Sequence, residues 1–448
     1  MYKIELPVGV QVILSMLHGA GYSAYVVGGC VRDSIMKIKP HDWDICTSAT
    51  PEQMFEVFRD YRVIPTGVKH GTVTVVMCGV GYECTTYRVD GVYTDNRRPD
   101  NVIFTQNLVK DLERRDFTIN AIAYNETEGL IDPFNGVQDI RNKIIRCVGN
   151  PTERFKEDTL RILRALRFKA RLGFVIERNT EMSLLCLVNS LHNISIERIH
   201  DEICKIVKSK YAALVLEQYA NVFMVCIPEM RVMYGFEQNN PYHDYTVWDH
   251  TIKTLYKCKT NDLITRLALL FHDMGKPYCC QVGEDGCKHF KGHGKVSASM
   301  ADGVMQRLRF DNVTREKVVQ LVYYHDATFE VGKKYVKRWL NKMGEEQFRR
   351  LLEVRKSDIK GQKAVYDKYQ VTKVKEIEKL LNEVLAEAQC FTLKDLAVNG
   401  NDLLQAGFAP GRRLGLTLNA LLDAVINEEV SNEKIALLEF AKRCVLNE

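Results

Sequence analysis

Apolar positions recur along this chain with two different periods, and the switch between them divides it. Up to about residue 145 the spacing changes every few residues. VQVILSMLHGAG, Val10 to Gly21, has helical spacing and ends at glycines. AYVV, Ala24 to Val27, is a short apolar run closed by Gly28 and Gly29, which predicts a strand, a tight turn and a short helix from Cys30. A second strand is expected around Ile45. TPEQMFEVF, Thr50 to Phe58, opens with the Thr, Pro and Glu of a helix start. The stretch from Val63 to Asp90 alternates with period two and has Gly79 and Gly81 near its turn, as a hairpin does. RVDGVYTDNRRPDNVIF, Arg88 to Phe104, is polar and interrupted by Gly and Pro, so a mobile loop is expected there.

From Thr152 the period becomes helical. ERFKEDTLRILRALRFKARLGF predicts one continuous helix, with Leu160, Leu163, Ala165, Leu166 and Ala170 as its apolar stripe. SIERIHDEICKIV is a second helix, opening at Ser195. Further on, one apolar helix ends at His272 and Asp273 and another at His325 and Asp326. The basic run VGKKYVKRW, the stretch VTKVKEIEKLLNEVLAEA and the region around NGNDLLQAGFAPGRRLG complete a helical C-terminal half. There is no tandem repeat or low-complexity segment. The expectation is an α+β head with a small mixed or antiparallel sheet, followed by all-α domains.

Composition narrows the class. A chain of 448 residues has room for two to four domains, and 46% apolar with 27% charged residues is the balance of soluble globular proteins. MYKIELPVGV has no long apolar segment, and no apolar run reaches the ~18 residues that span a bilayer. The cytoplasm is the expected compartment, with no membrane partner. The 14 cysteines are scattered without a C-x-x-C, so reduced thiols are expected rather than a zinc ribbon. A net charge of +5 points only mildly to a polyanionic partner; where the charges lie matters more.

The segment from Val26 to Ile45 carries the first candidate chemistry. Glycines at 28 and 29 let backbone N–H groups approach a phosphate, and Arg32 adds a fixed positive charge. Asp42 and Asp44 are at i, i+2, which on a strand puts both carboxylates on one face. Two adjacent carboxylates beside a phosphate cradle suggest Mg²⁺ sites for phosphoryl transfer. Separately, a Gly-Gly turn and an Asp pair are commonplace surface features; within twenty residues of each other they are not. Arg114 and Arg115 form an arginine pair suited to triphosphate oxygens, with Asp116 beside them; salt bridging to that Asp is the ordinary alternative. In the helix after Thr152, Asp158 and Arg161 are at i, i+3 and face one side, and Arg164 and Arg167 continue at threes. A solvated basic face is the ordinary explanation of such a helix. In the C-terminal half six of the eleven histidines fall between His243 and His325. Mixed imidazole and carboxylate groups there (His250, His272, Asp273, His293, His325 and Asp326) suit several divalent ions.

Taken together, these strings resemble the class II CCA-adding tRNA nucleotidyltransferases and bacterial poly(A) polymerases. The resemblance rests on Gly28-Gly29-Cys30-Val31-Arg32-Asp33 followed by Asp42-Trp43-Asp44, on the Arg88–Phe104 loop, on RRDFTINA, on ED-x-x-R-x-x-R-x-x-R-F and on NGNDLLQAGFAPGRRLGLTL, in family order from Val26 to roughly Leu416. It implies an elongated head, neck, body and tail, with a nucleotidyltransferase head at 1–145, a helical neck at 146–240, a module at 241–345 and a tRNA-binding body and tail at 346–448. Asp42, Asp44 and Glu83 would be the catalytic carboxylates, the first two holding Mg²⁺. Gly28, Gly29, Arg32, Arg114 and Arg115 would hold the triphosphate. Asp158 and Arg161 would read the amine edge that cytosine and adenine share, with Arg164 and Arg167 serving structure, phosphate or tRNA contact. The partners implied are CTP, ATP and the 3′ end and acceptor stem of tRNA, and the loop implies addition of C, C and A. The His/Asp strings resemble the HD superfamily of metal-dependent phosphohydrolases, which implies a second divalent metal of unknown identity and a possible hydrolytic side activity. Three alternatives stand beside this reading: a poly(A) polymerase, an HD-type phosphodiesterase or phosphatase with an accessory head, and a non-catalytic RNA-binding protein, against which the intact carboxylates argue.

Overall fold

The computed structural model describes residues 2–90, 102–239, 245–362, 364–387 and 389–445. They form two compact units, Met1–Pro228 and Glu229–Glu448.

The first unit opens with α1 (Val8–Gly19), β1 (Ala24–Val27), α2 (Gly29–Ile35), β2 (Ile45–Thr47), α3 (Pro51–Val57), β3 (Arg62–Gly67), β4 (Thr72–Met77) and β5 (Val80–Thr86). β6 (Arg88–Asp90) and β7 (Val102–Phe104) pair with each other, so the predicted loop leaves from and returns to a strand pair. Its Asp95, Arg97 and Arg98 lie outside the described residues, as does His243. Then come α4 (Leu108–Glu113), β8 (Ala123–Asn125), β9 (Gly129–Ile131), α5 (Gly136–Asn142) and β10 (Ile144–Ile145). Seven strands form one sheet in the order β3-β4-β5-β2-β1-β8-β9. Only β2 and β5 run parallel; the other neighbours are antiparallel. The result is the mixed α+β head that the patterning predicts.

Local chemistry accounts for these elements. All four residues of β1 are buried, as a continuous apolar run in a central strand requires. β4 alternates between half-buried and buried positions, because one face meets the core. Thr50 and Gln53 cap α3 reciprocally, with Pro51 in the first turn. Gly28 sits between β1 and α2 at φ 82, a conformation that side-chain-bearing residues rarely adopt.

Beyond residue 150 the first unit is mostly helical: α6 (Pro151–Glu157), α7 (Arg161–Leu172), α8 (Arg178–Cys186), α9 (Ile196–Val207), α10 (Ala212–Gln218) and α11 (Ala220–Cys226). A two-residue strand, β11 (Val175–Ile176), pairs with β10. The predicted continuous helix after Thr152 is therefore two helices. Asp158 breaks it at φ −137, ψ 99, and its Oδ1 accepts the Leu160 N–H at 3.1 Å. A short carboxylate that satisfies a helix-start N–H competes with continuing the helix through it. Asp158 and Arg161 consequently lie at a helix junction rather than on one helix face.

The second unit is helical apart from a small hairpin, β12 (Gln281–Val282) with β13 (Lys288–His289). Its helices are α12 (Val247–Lys257), α13 (Leu263–Phe271), α14 (His293–Arg307), α15 (Asn312–Tyr324), α16 (Lys333–Gly361), α17 (Ala364–Ala386), α18 (Gly400–Gln405), α19 (Arg412–Ile426) and α20 (Lys434–Val445). α16 is kinked at Gly344. Among the described residues no helix is long and apolar enough to cross a membrane.

Gly136, at the start of α5, packs where no side chain fits: a Cβ there would lie 2.2 Å from the Thr118 carbonyl oxygen. Gly136→Ala is expected to lower the unfolding free energy by about 1–3 kcal/mol, read by chemical denaturation; an unchanged midpoint would contradict this packing.

Candidate active site

β1 and the Gly28–Gly29 turn lead straight into a cavity of about 480 Å³ in the first unit. Gly28, Gly29 and Arg32 form one wall, Asp42 and Asp44 another, and Arg114, Arg115, Arg161, Arg164 and Arg167 much of the rest. Asp158 and Glu83 are not part of that lining. Glu83 is nonetheless close to the acid pair. Ile45 on β2 pairs in register with Cys84 on β5, which puts Glu83 level with Asp44.

Asp42 and Asp44 lie in the segment leading into β2, not on the strand itself. They still interact. Asp44 opens to the cavity but is enclosed by protein on its other sides. That enclosure, then the charge of Asp42, pushes its carboxyl up to about 6, with Glu83 adding to the rise and Arg115 opposing it. The site therefore has an unmet demand for positive charge at the acid pair.

The arginines are held in place by carboxylates. Arg32 is 2% exposed, donates to Asn120 Oδ1 at 2.6 Å and pairs with Asp33 at 2.7 Å. Arg114 and Arg115 share one carboxylate, Asp111, at 2.8 and 3.5 Å. They are not the unpaired couple that the sequence suggests: they share Asp111, and the charges of Asp44 and Asp116 also act on Arg115. Asp116 accepts from Arg164 at 2.7 and 2.5 Å. Burial alone would raise the Asp116 carboxyl; Arg164 overcomes it and brings the group down to about 2. Arg161 pairs with Glu157 at 2.8 Å and donates to the Arg114 carbonyl at 2.9 Å, tying α7 to the arginine pair. Arg167 pairs with Glu202 of α9 at 2.6 Å. Asp158, at the helix junction, is held by Arg198 of α9 at 2.8 Å.

Sequence reasoning did not single out Asn120 or Phe168. Phe168 is the floor on which Arg32, Arg164 and Arg167 lie, at 5.2, 5.8 and 4.4 Å from its centroid. Asn120 orders Arg32 and donates to Asp116 at 3.2 Å. Both fall within the quoted strings, RRDFTINA and the F of R-x-x-R-F, but neither is charged, so no electrostatic signal marked them.

Models of three families match the chain. Residues 24–146 match the poly A polymerase head domain, 173–224 the probable RNA and SrmB-binding site of polymerase A, and 294–441 the putative domain 2 of tRNA nucleotidyltransferase. The CCA-adding enzyme of Lactobacillus helveticus is 32% identical over 96% of this chain and 95% of its own length. The chain belongs to the CCA-adding enzyme family. The CCA-adding enzyme of Levilactobacillus brevis is 33% identical over 95% of both chains. Against the Oceanobacillus iheyensis family member identity rises to 46%, over 46% of this chain, and the match spans about half of that protein (51%). Among solved structures, the Bacillus stearothermophilus CCA-adding enzyme in complex with CTP is similar at TM-score 0.71 and 28% identity, covering 97% of this chain and 96% of that one.

A second cluster lies in the second unit. His250, His272 and Asp273 form one group that could hold a metal ion, and Asp273, His293 and His325 another. Asp326 does not join them; its side chain is 60% exposed and lies near Arg355. Asp358 of α16, which sequence reasoning did not single out, lies 3.0 Å from His250.

The coupling within the acid pair is directly measurable. Asp44 is expected to titrate near pH 6 by carbonyl-carbon NMR in metal-free protein, and Asp42→Asn is expected to move that midpoint down. A midpoint near 4 in the parent, or no movement in the variant, would contradict the coupling.

Proposed function

We propose that this chain adds the 3′-terminal C, C and A to tRNA, using CTP and ATP and releasing pyrophosphate. One observation carries the reading: an acid pair in need of positive charge opens into the same cavity as a glycine turn and a set of fixed arginines. The kinship with CCA-adding enzymes over nearly the whole chain supports it.

In this reading the terminal ribose hydroxyl of tRNA loses its proton to solvent as its oxygen bonds to the α-phosphorus, and the bond from that phosphorus to the pyrophosphate oxygen breaks. Asp42 and Asp44, with Glu83 beside them, are an all-oxygen donor set that fits hard divalent cations such as Mg²⁺. Bound there, Mg²⁺ would supply Lewis-acid activation of the hydroxyl and offset the charge on the leaving group. The chain's own residues do the positioning. Gly28 and Gly29 let the backbone come close to phosphate oxygens. Arg32, Arg114 and Arg115 face the triphosphate with charge already oriented, so little reorganisation is needed as charge shifts to pyrophosphate. Arg164 and Arg167, held by Asp116 and Glu202, keep the wall in place.

Asp158 and Arg161 read the base. A carboxylate accepts from the exocyclic amine of cytosine or adenine and repels the carbonyl that uracil and guanine present instead. Protein side chains thus take the role of a template. Poly(A) addition, the nearest rival, differs in nucleotide choice and product length.

The test uses tRNA lacking its last three nucleotides, with product length read on a sequencing gel. Two residues added from CTP alone and three from CTP with ATP are expected; long tails from ATP alone would overturn the reading in favour of a poly(A) polymerase. Asp158→Ala is expected to relax discrimination against UTP and GTP by about tenfold or more, the scale of one lost base-edge contact. Unchanged kcat/KM ratios across the four nucleotides would remove Asp158 from the base-reading role.

A further inference from the structure

Arg171 lies in the last turn of α7 and lines the same cavity as the Gly28–Gly29 turn. Arg164, Phe168 and Arg171 follow one another at four and three residues, so they share one helix face. The earlier arginines of α7 each have a carboxylate partner: Glu157 for Arg161, Asp116 for Arg164 and Glu202 for Arg167. Arg171 differs in two ways. Its side chain is 47% exposed, more than any of those three, and its partner Asp33 is shared with Arg32.

Asp33 is buried in α2 and gives one oxygen to each arginine. Oδ1 accepts from Arg32 Nε at 2.8 Å, and Oδ2 accepts from Arg171 Nη2 at 2.8 Å. Two guanidiniums from segments far apart in the chain are thereby set on either side of one carboxyl group. Arg32 is fixed further by Asn120 and by the Phe168 ring. Asp33 engages Arg171 through Nη2 alone, and a guanidinium carries five N–H donors, so most of those of Arg171 are left for a ligand.

Contacts order the cavity outward from the acid pair. Arg115 is close enough for its charge to act on Asp44. Its Nη1 stands 3.0 Å from where a Gly28 side chain would begin, and Arg32 Nη2 stands 3.7 Å from where a Gly29 side chain would begin. Asp33 then joins Arg32 to Arg171. In the other direction, Arg161 donates to the carbonyl of Arg114, the chain neighbour of Arg115. A nucleotide whose base meets Arg161 and whose α-phosphate meets the acid pair has its remaining phosphates along the glycine turn, with the last one at Arg32 and Arg171.

We propose that Arg171 binds the terminal phosphate of the incoming nucleoside triphosphate, forming with Arg32 a two-guanidinium fork set by Asp33. The inference rests on the proposed function, which puts a triphosphate in this cavity. A terminal phosphate has more free oxygens and more charge than a bridging one, and planar guanidinium forks match those oxygens in pairs. Arg171 thereby measures the length of the phosphate chain. A nucleoside diphosphate held by its base and α-phosphate falls short of it, so Arg171 is a determinant of triphosphate over diphosphate selection.

The experiment measures binding of CTP, CDP and CMP to the full-length protein with Mg²⁺ by titration calorimetry, for the parent, Arg171→Gln and Arg171→Lys. Arg171→Gln is expected to weaken CTP binding about tenfold or more, the scale of one lost charged contact, and to bind CDP and CMP as the parent does. Arg171→Lys keeps the charge without the fork and is expected to lie between the two for CTP. Both variants leave Asp33 paired with Arg32, and their CDP and CMP titrations report an intact base site in the same sample. Equal weakening of all three ligands would make Arg171 a structural clamp and overturn the proposal. Unchanged CTP binding with a raised KM for tRNA would overturn it too, by putting Arg171 on the tRNA backbone. A parent that binds none of the three nucleotides would remove the proposed function itself; a parent that binds CTP, beside an Arg171→Gln variant without a triphosphate-selective loss, would remove this inference alone.

Discussion

The ion pair between buried Asp116 and half-buried Arg164 is the interaction on which the first unit's cavity depends. It joins the turn after α4 to α7, and both groups are members of wider networks. Asp116 also accepts from Asn120, which holds Arg32 behind the glycine turn. Arg164 lies over Phe168, as do Arg32 and Arg167. Removing Arg164 would leave the Asp116 charge buried without its partner, which is far costlier than never having built the pair. The cavity's shape is thus set by charge compensation in its lining more than by apolar packing around it.

That lining is asymmetric. On one side the guanidiniums are paired with carboxylates, with Asp111 shared by Arg114 and Arg115 and Asp33 by Arg32 and Arg171. On the other side Asp42 and Asp44 face each other with no cation of the protein fully satisfying them, and Asp44 responds by holding its proton to about pH 6. A substrate that is itself a polyanion carrying divalent cations resolves both imbalances at once. This is why we favour a nucleoside triphosphate with its metal over a bare anion or a bare cation.

Much of this was legible in the chain. The period change near residue 150, the Gly28–Gly29 turn and the hairpin that carries Glu83 follow from local patterning; that Glu83 lies level with Asp44 depends on the long-range parallel pairing of β2 with β5. The break at Asp158 was not legible, because no Gly or Pro marks it, and the capping of Leu160 and the pull of Arg198 that hold Asp158 out of the helix show only in the structure. Asn120 and Phe168 were missed because a neutral amide and a lone ring resemble any core residue until three arginines are seen to lie on or beside them. Asp358 was missed for a different reason: it meets His250 only through the packing of α12 against α16, and Asp326, adjacent to His325, was the more obvious carboxylate. Contacts that depend on helix packing leave no mark at fixed sequence spacing.

The most direct test of this account is CTP affinity by titration calorimetry, with and without Mg²⁺, for the parent protein and the Asp42→Asn/Asp44→Asn double variant. The account predicts that Mg²⁺ strengthens binding in the parent, and that the variant binds metal-free CTP at least as well as the parent does but gains nothing from Mg²⁺. An equal Mg²⁺ effect in both proteins would show that the acid pair does not meet the nucleotide's metal, and would contradict the account.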